Sequence, residues 1–174
     1  MVDKSTKGWL YFPPFLREVL AISDKTDTTA RIDLSFSSAF SYIDLVQDVS
    51  DNITRIIGFD DDARYWIGMS IRESVINAIQ HGNGEDESKM VGVCFSAFSD
   101  RLVISVRDQG EGFDISKIPD PTDPKNLLKP SGRGIFYVRS FMDAVSFNER
   151  PEGGLEVRLE KRLNKANQGE DHED

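Results

Sequence analysis

The run Glu73-Ser74-Val75-Ile76-Asn77-Ala78-Ile79-Gln80-His81-Gly82 places a carboxylate and an amide four residues apart, in a stretch that otherwise reads as a buried helix. Residues at that spacing share one face of a helix, so Glu73 and Asn77 point the same way, about one turn apart. Apolar Ile71, Val75, Ile76, Ala78 and Ile79 take up most of the remaining surface. A carboxylate beside an amide within an apolar helix costs stability unless something satisfies both. A hydrated divalent cation with its phosphates would do so, and a nucleotide brings both.

Two further segments support that reading. Asp108-Gln109-Gly110-Glu111-Gly112-Phe113-Asp114 follows the strand-like Arg101-Leu102-Val103-Ile104-Ser105-Val106-Arg107. Ser131-Gly132-Arg133-Gly134 leads into Ile135-Phe136-Tyr137-Val138-Arg139-Ser140-Phe141-Met142. Alone, each glycine pair is more often a turn than a phosphate cradle, because glycine is the usual residue for positive φ. Their joint occurrence, in this order and in one small domain, is much more specific. The three segments resemble the N box and the first and second glycine boxes of the GHKL ATPase and kinase superfamily. Within it the chain is most similar to the bacterial anti-sigma factor serine/threonine kinases, particularly in Ser131-Gly132-Arg133-Gly134-Ile135 followed by Phe141-Met142-Asp143. The similarity runs from roughly Ile32 to Leu163.

The resemblance implies ATP and Mg²⁺ as cofactors. Glu73 would be the general base that takes the proton of an attacking hydroxyl. Asn77 would place its amide oxygen on Mg²⁺, which prefers a few oxygen ligands, waters and the phosphates. Asp108 would accept from the exocyclic amine of adenine, with Gly110 and Gly112 letting the backbone bend close to base and ribose. Gly132 and Gly134, at the start of a helix, would offer backbone N–H groups to phosphate, and Arg133 is a phosphate contact or a solvent-facing arginine. Structural alternatives stand beside each role: an ion pair of Glu73 with Arg72, Arg101 or Arg107, a helix asparagine bonded to a loop, and an aspartate that starts a turn. His81 reads as a satisfied helix-end histidine. One departure concerns Leu155, which stands where the family often has a threonine or serine lining the adenine pocket.

Periodicity supplies the elements around these motifs. Ile32-Asp33-Leu34-Ser35-Phe36 alternates as a strand. A helix to about Ile57 follows, with Ser37 or Ser38 as cap and Phe40, Ile43, Val46, Val49, Ile53 and Ile56 at spacings of three and four. Gly58 suits its stop, and Asp60, Asp61 and Asp62 are N-cap candidates for the next helix, which ends near Gly82-Asn83-Gly84. Lys89 to Phe98 and Leu102 to Val106 read as strands turning at Ser99-Asp100. Asp114 to Ser131 contains Pro119, Pro121, Pro124 and Pro130 and cannot be one regular element; in the family it is a mobile lid. Gly134 to Met142 reads as a short helix, and Ala144 to Asn148 with Leu155 to Arg162 as a hairpin. This order predicts an α+β fold, a two-layer α/β sandwich of the GHKL ATPase type, with helices packed on one face of a mixed, mainly antiparallel sheet. Three regions are expected: an N-terminal arm over 1–30, flexible or docking; the ATP-binding kinase domain over 31–163; and a disordered acidic tail over 164–174.

The 174 residues suit one such domain. The net charge of −9 argues against nucleic acid as a direct partner. The single Cys94 permits no intrachain disulfide and reads as a small buried side chain. No apolar run is long enough to span a bilayer, and no signal peptide is evident, so no membrane partner and a cytoplasmic location are expected. The expected function, by resemblance, is an anti-sigma factor kinase that binds a sigma factor and phosphorylates a STAS-type anti-anti-sigma protein. The alternative is a non-catalytic ATP-gated switch. A histidine kinase would need a phosphoacceptor histidine, and the only other histidine is His172 in the tail. A topoisomerase-like ATPase would need a further transducer domain, for which the chain is too short. Homodimers are common in the family, and the apolar stretch near Trp9 could contribute to one.

Overall fold

The computed structural model describes residues 28–111 and 133–164, with Arg133 described for its backbone only. Strand β1 (Thr28–Ser37) passes through a 3₁₀ turn, Phe40–Tyr42, into helix α1 (Ile43–Ile57), and helix α2 (Asp61–Asn77) follows. Strands β2 (Met90–Phe98) and β3 (Arg101–Arg107) come next, then helix α3 (Arg133–Phe141) and strands β4 (Ala144–Glu149) and β5 (Leu155–Arg162). The sheet order is β1-β2-β3-β5-β4. Every described pairing is antiparallel, so the mixed component of the expected sheet is not among the described strands. The three helices and the antiparallel sheet form the α+β sandwich that the element order implied. Among the described residues, no helix is long and apolar enough to cross a membrane.

Local chemistry explains most boundaries. Gly58 closes α1 in the left-handed conformation, φ 95°, which glycine adopts without a Cβ penalty. Asp60 caps α2 by accepting from the Ala63 N–H at 2.7 Å. The expected cap at Ser37 or Ser38 does not form: Ala39 precedes the 3₁₀ turn without a side-chain bond, and the buried Ser38 hydroxyl has no partner. Of the six apolar positions read into α1, Ile43, Val46 and Ile53 are buried, whereas Phe40 and Ile56 face solvent.

Ile67, Ile71, Val75 and Ile79, each four residues from the next, are wholly buried and press α2 and the turn that follows it onto Val91, Val93 and Phe95 of β2 and Leu102, Ile104 and Val106 of β3. Burial of each such side chain contributes about 1.5–3 kcal/mol. Arg64 ties α2 to α1 through Asp51 at 2.6 Å, and Arg72 does so through the Gln47 side chain at 3.0 Å. Past Asn77, α2 widens into a π turn, Ala78–Gly82. The central strand β3 ends beside this turn, so the chain leaving it at Asp108 meets the end of the helix that carries Glu73.

Candidate functional site

Glu73 and Asn77 lie half-buried on successive turns of α2, and the Asn77 amide donates to Glu73 Oε1 at 3.2 Å. The three arginines considered as partners of Glu73 are engaged elsewhere: Arg72 with Gln47, Arg101 with Asp100 and Glu160, and Arg107 with Asp33 and Glu156. The first turn of α3 closes directly on the carboxylate. A methyl added at Gly134 would stand 1.7 Å from Glu73 Oε1, so glycine is the residue that permits the approach.

Asp108 is 4% exposed and held rigidly. Its Oδ1 accepts from the backbone N–H groups of Gly110 at 2.9 Å and Leu155 at 3.1 Å. Its own backbone continues the β3–β5 ladder by donating to the Leu155 carbonyl, and the Arg150 guanidinium donates to its carbonyl at 2.6 Å. Three glycines surround it. Cβ atoms would fall 2.4 Å from the Asp108 carboxyl carbon at Gly82, 1.8 Å from the Gly82 carbonyl oxygen at Gly110, and 2.1 Å from the Asp108 carbonyl oxygen at Gly154. Gly154 also has φ +90°. Asn83, 2% exposed, fixes the neighbouring loop by accepting from the Gln109 N–H at 2.8 Å and donating to the Met90 carbonyl at 3.2 Å.

Asp108 and Asn77 line one cavity, whose apolar walls include Val106, Ile135, Val138, Phe147 and Leu155. The enclosed space is about 20 Å³, room for roughly one water. A larger occupant requires the cavity walls to move apart. The donor set nevertheless suits a nucleotide: apolar walls, one anchored carboxylate among them, and a carboxylate–amide pair beside the helix start. Among the described residues, no group of three or more His, Cys, Asp or Glu side chains gathers as a metal site. A cation here would therefore draw most of its oxygen ligands from water and phosphate.

The structure thus brings Glu73, Asn77, Asp108, Gly110 and Gly134 together. Gly112, Gly132, the Arg133 side chain and the expected lid over 114–131 lie outside the described residues, as do residues 1–27 and 165–174. His81 lies exposed on the π turn. Leu155 is 1% exposed and does line the cavity, and it is its backbone N–H that serves Asp108. Sequence reasoning missed the supports of Asp108: Gly82, Asn83, Arg150 and Gly154. The adjacent pair Gly153-Gly154 was the available signal, since two consecutive glycines in a hairpin mark close backbone approach as well as a turn.

The fold is that of the GHKL class of ATPases. The chain belongs to the histidine kinase-like ATPase domain family, whose sequence profile matches residues 36–161. It is 24% identical over 125 residues to the serine-protein kinase RsbW of Oceanobacillus iheyensis, covering 68% of this chain and 79% of that one. Over 141 residues it is 28% identical to the serine-protein kinase RsbW of Staphylococcus epidermidis, covering 77% and 87%. Among solved structures, the RsbU and RsbW domains of Rv1364c from Mycobacterium tuberculosis superpose with a TM-score of 0.57 at 18% identity. That alignment covers 78% of this chain and spans 33% of the solved one, a likeness of fold.

Proposed function

We propose that the protein is an ATP-dependent serine/threonine-protein kinase that phosphorylates a STAS-type anti-anti-sigma protein and sequesters a sigma factor, the two competing for it as in a partner switch. The observation that carries this reading is the Glu73–Asn77 pair on one helix face, beside a cavity whose anchored carboxylate is Asp108. Similarity to the RsbW serine-protein kinases supports the choice of a hydroxyl acceptor.

In this reading Glu73 accepts the proton of the attacking serine or threonine hydroxyl. The Asn77 Nδ2 donates to Glu73 and holds its carboxylate in place, leaving Oδ1 as an acceptor for Mg²⁺. Asp108 has Oδ1 committed to two backbone donors, which leaves Oδ2 to accept from an adenine amine and to repel a guanine carbonyl. Gly110 and Gly112 would allow the close backbone approach to base and ribose, while Gly132, Arg133 and Gly134, around the start of α3, would offer contacts to phosphate. Bound Mg·ATP supplies the phosphoryl group and neutralises charge at the phosphate oxygens. The alternative, a non-catalytic ATP-gated switch, draws on Leu155, which lacks the hydroxyl that the family often has there. Because that residue still anchors Asp108 through its main chain, its side-chain chemistry leaves the adenine contact intact, and the kinase reading is preferred.

The test is incubation with Mg²⁺, γ-labelled ATP and the STAS proteins encoded beside the gene. Label should appear on serine or threonine and fall about 10²–10⁴-fold with Glu73→Gln, while ATP binding persists. Unchanged transfer in that variant removes Glu73 from catalysis, and ATP binding without any transfer returns the switch.

A further inference from the structure

Away from the Asp108 cavity, and sharing none of its lining residues, α1 and α2 enclose an open groove of about 470 Å³. Gly68, in the interior of α2, is among its lining residues. Glycine is unfavourable inside a helix, and nothing in the described protein requires it there: a Cβ at Gly68 would meet no atom within 4 Å. Beside it, Tyr65 is 59% and Met69 43% exposed, both large apolar surfaces. Ser50 also lines the groove, at 1% exposure, and its hydroxyl has no hydrogen-bond partner. A buried hydroxyl left unpaired is costly.

The charges around the groove have one sign in excess. Asp48, Asp51 and Asp61 line it, and Arg64 is its one lining cation. Arg64 is already committed to Asp51 at 2.6 Å and Asp61 at 2.7 Å. Among the described residues the Asp48 carboxylate has no partner. We infer that this groove docks an amphipathic helix of a partner protein, apolar toward Tyr65 and Met69, basic toward Asp48 and Asp51, with its backbone passing close over Gly68. Two neighbouring helices present the ridges between which a third helix seats, and the groove runs along Gln47–Asp51 of α1 and Asp61–Met69 of α2, about two and a half turns of the latter. The acidic rim excludes nucleic acid as the occupant. The inference does not depend on the kinase reading.

The test uses the full chain, isotopically labelled for NMR, and a synthetic helical peptide with leucine on one face and lysine on the other. A counterpart with glutamate for lysine is the control. Amide signals of residues 47–51 and 64–69 should shift with the lysine peptide, and the glutamate peptide should bind at least about tenfold more weakly. Gly68→Leu should raise the melting temperature by about 2 °C, because it removes a helix glycine. The same variant should lose at least about tenfold in peptide affinity, a combination that a purely structural role for Gly68 does not give. Asp48→Lys should weaken the lysine peptide and strengthen the glutamate one. Unchanged affinity in Gly68→Leu, shifts centred elsewhere, or no shift at millimolar peptide overturns the proposal. Groove signals that move with protein concentration alone assign it to a second copy, and cross-peaks from the groove to Phe15–Ile22 in the peptide-free chain assign it to the chain's own amino-terminal segment; either result also overturns it.

Discussion

Replacing Gly110 with alanine probes the packing that fixes Asp108. The added methyl would lie 1.8 Å from the Gly82 carbonyl oxygen and 2.5 Å from its carbon. Non-bonded heavy atoms rest roughly 3.5 Å apart, so the two segments would have to part by about 1.5 Å. Both are main chain and neither can rotate aside. The Gly110 N–H that would be displaced donates to the buried Asp108 Oδ1 at 2.9 Å. Overpacking of this kind costs about 1–3 kcal/mol, and losing a hydrogen bond to a charged group about 1.5–3 kcal/mol. The sum, about 2.5–6 kcal/mol, corresponds to a melting temperature lowered by about 5–24 °C in a chain of this size. Calorimetry of the variant measures this directly. Titration with Mg·ATP, well below the lowered melting point, should show at least about tenfold weaker binding, since Asp108 would no longer be held by both donors. A variant melting within about 1 °C of the parent and binding ATP equally well refutes the argument, because no relaxation of one methyl could then reconcile Gly82 with Gly110.

Gly134→Ala meets a different obstacle, the end of the Glu73 side chain at 1.7 Å, which can swing away. Stability should stay within about 1 kcal/mol, whereas phosphoryl transfer should fall about 100-fold as the base is displaced; a large loss of stability with full activity contradicts this. Cys94 lies buried on β2 beside the Ser96 hydroxyl, and burial is the main cause that pushes its thiol up from the usual range. The preference for the neutral thiol is fully present below the unfolded-state value of about 8.5 and is lost as pH rises through the folded one. Alkylation of the native protein at pH 8 should therefore be at least about tenfold slower than in urea, and equal rates argue against the buried placement.

Much of this architecture was legible because its signals are local. Gly58 and Asp60 mark a helix end and a helix start by backbone chemistry alone, and both act as read. The Glu73–Asn77 spacing guaranteed a shared face whatever packed against it. Exposure was less legible. Ile56 has the right spacing for the core, yet it is 81% exposed, because periodicity gives the direction of a stripe and not how far the neighbouring layer extends. The cap at Ser38 failed for a related reason: its N–H bond to the Lys89 carbonyl at 2.9 Å, 51 residues away, keeps Ser38 at the end of β1, and the helix begins only at Ile43. The supports of Asp108 come from the π turn, the β2 start and the β4–β5 hairpin at once. Only the assembled sheet shows that Gly82 and Gly154 crowd Asp108 and that Gly110 in turn crowds Gly82.

The stack of Trp66 on Phe141 has a practical consequence. The rings lie 3.4 Å apart between centroids and nearly parallel, at 8°. They join the C-terminal end of α3 to the early turns of α2, while the opposite end of α3 rests on Glu73 through Gly134. One end of α3 is thus fastened by a broad aromatic contact and the other merely abuts a carboxylate. Any widening of the Asp108 cavity is then a swing about Trp66, or else a slide that tears the rings apart. With Trp9 the chain's only other tryptophan, exchange of Trp9 for phenylalanine leaves a single indole at the pivot. Its fluorescence lifetime and anisotropy become an optical gauge built into the protein, quiet during a swing and altered by a slide.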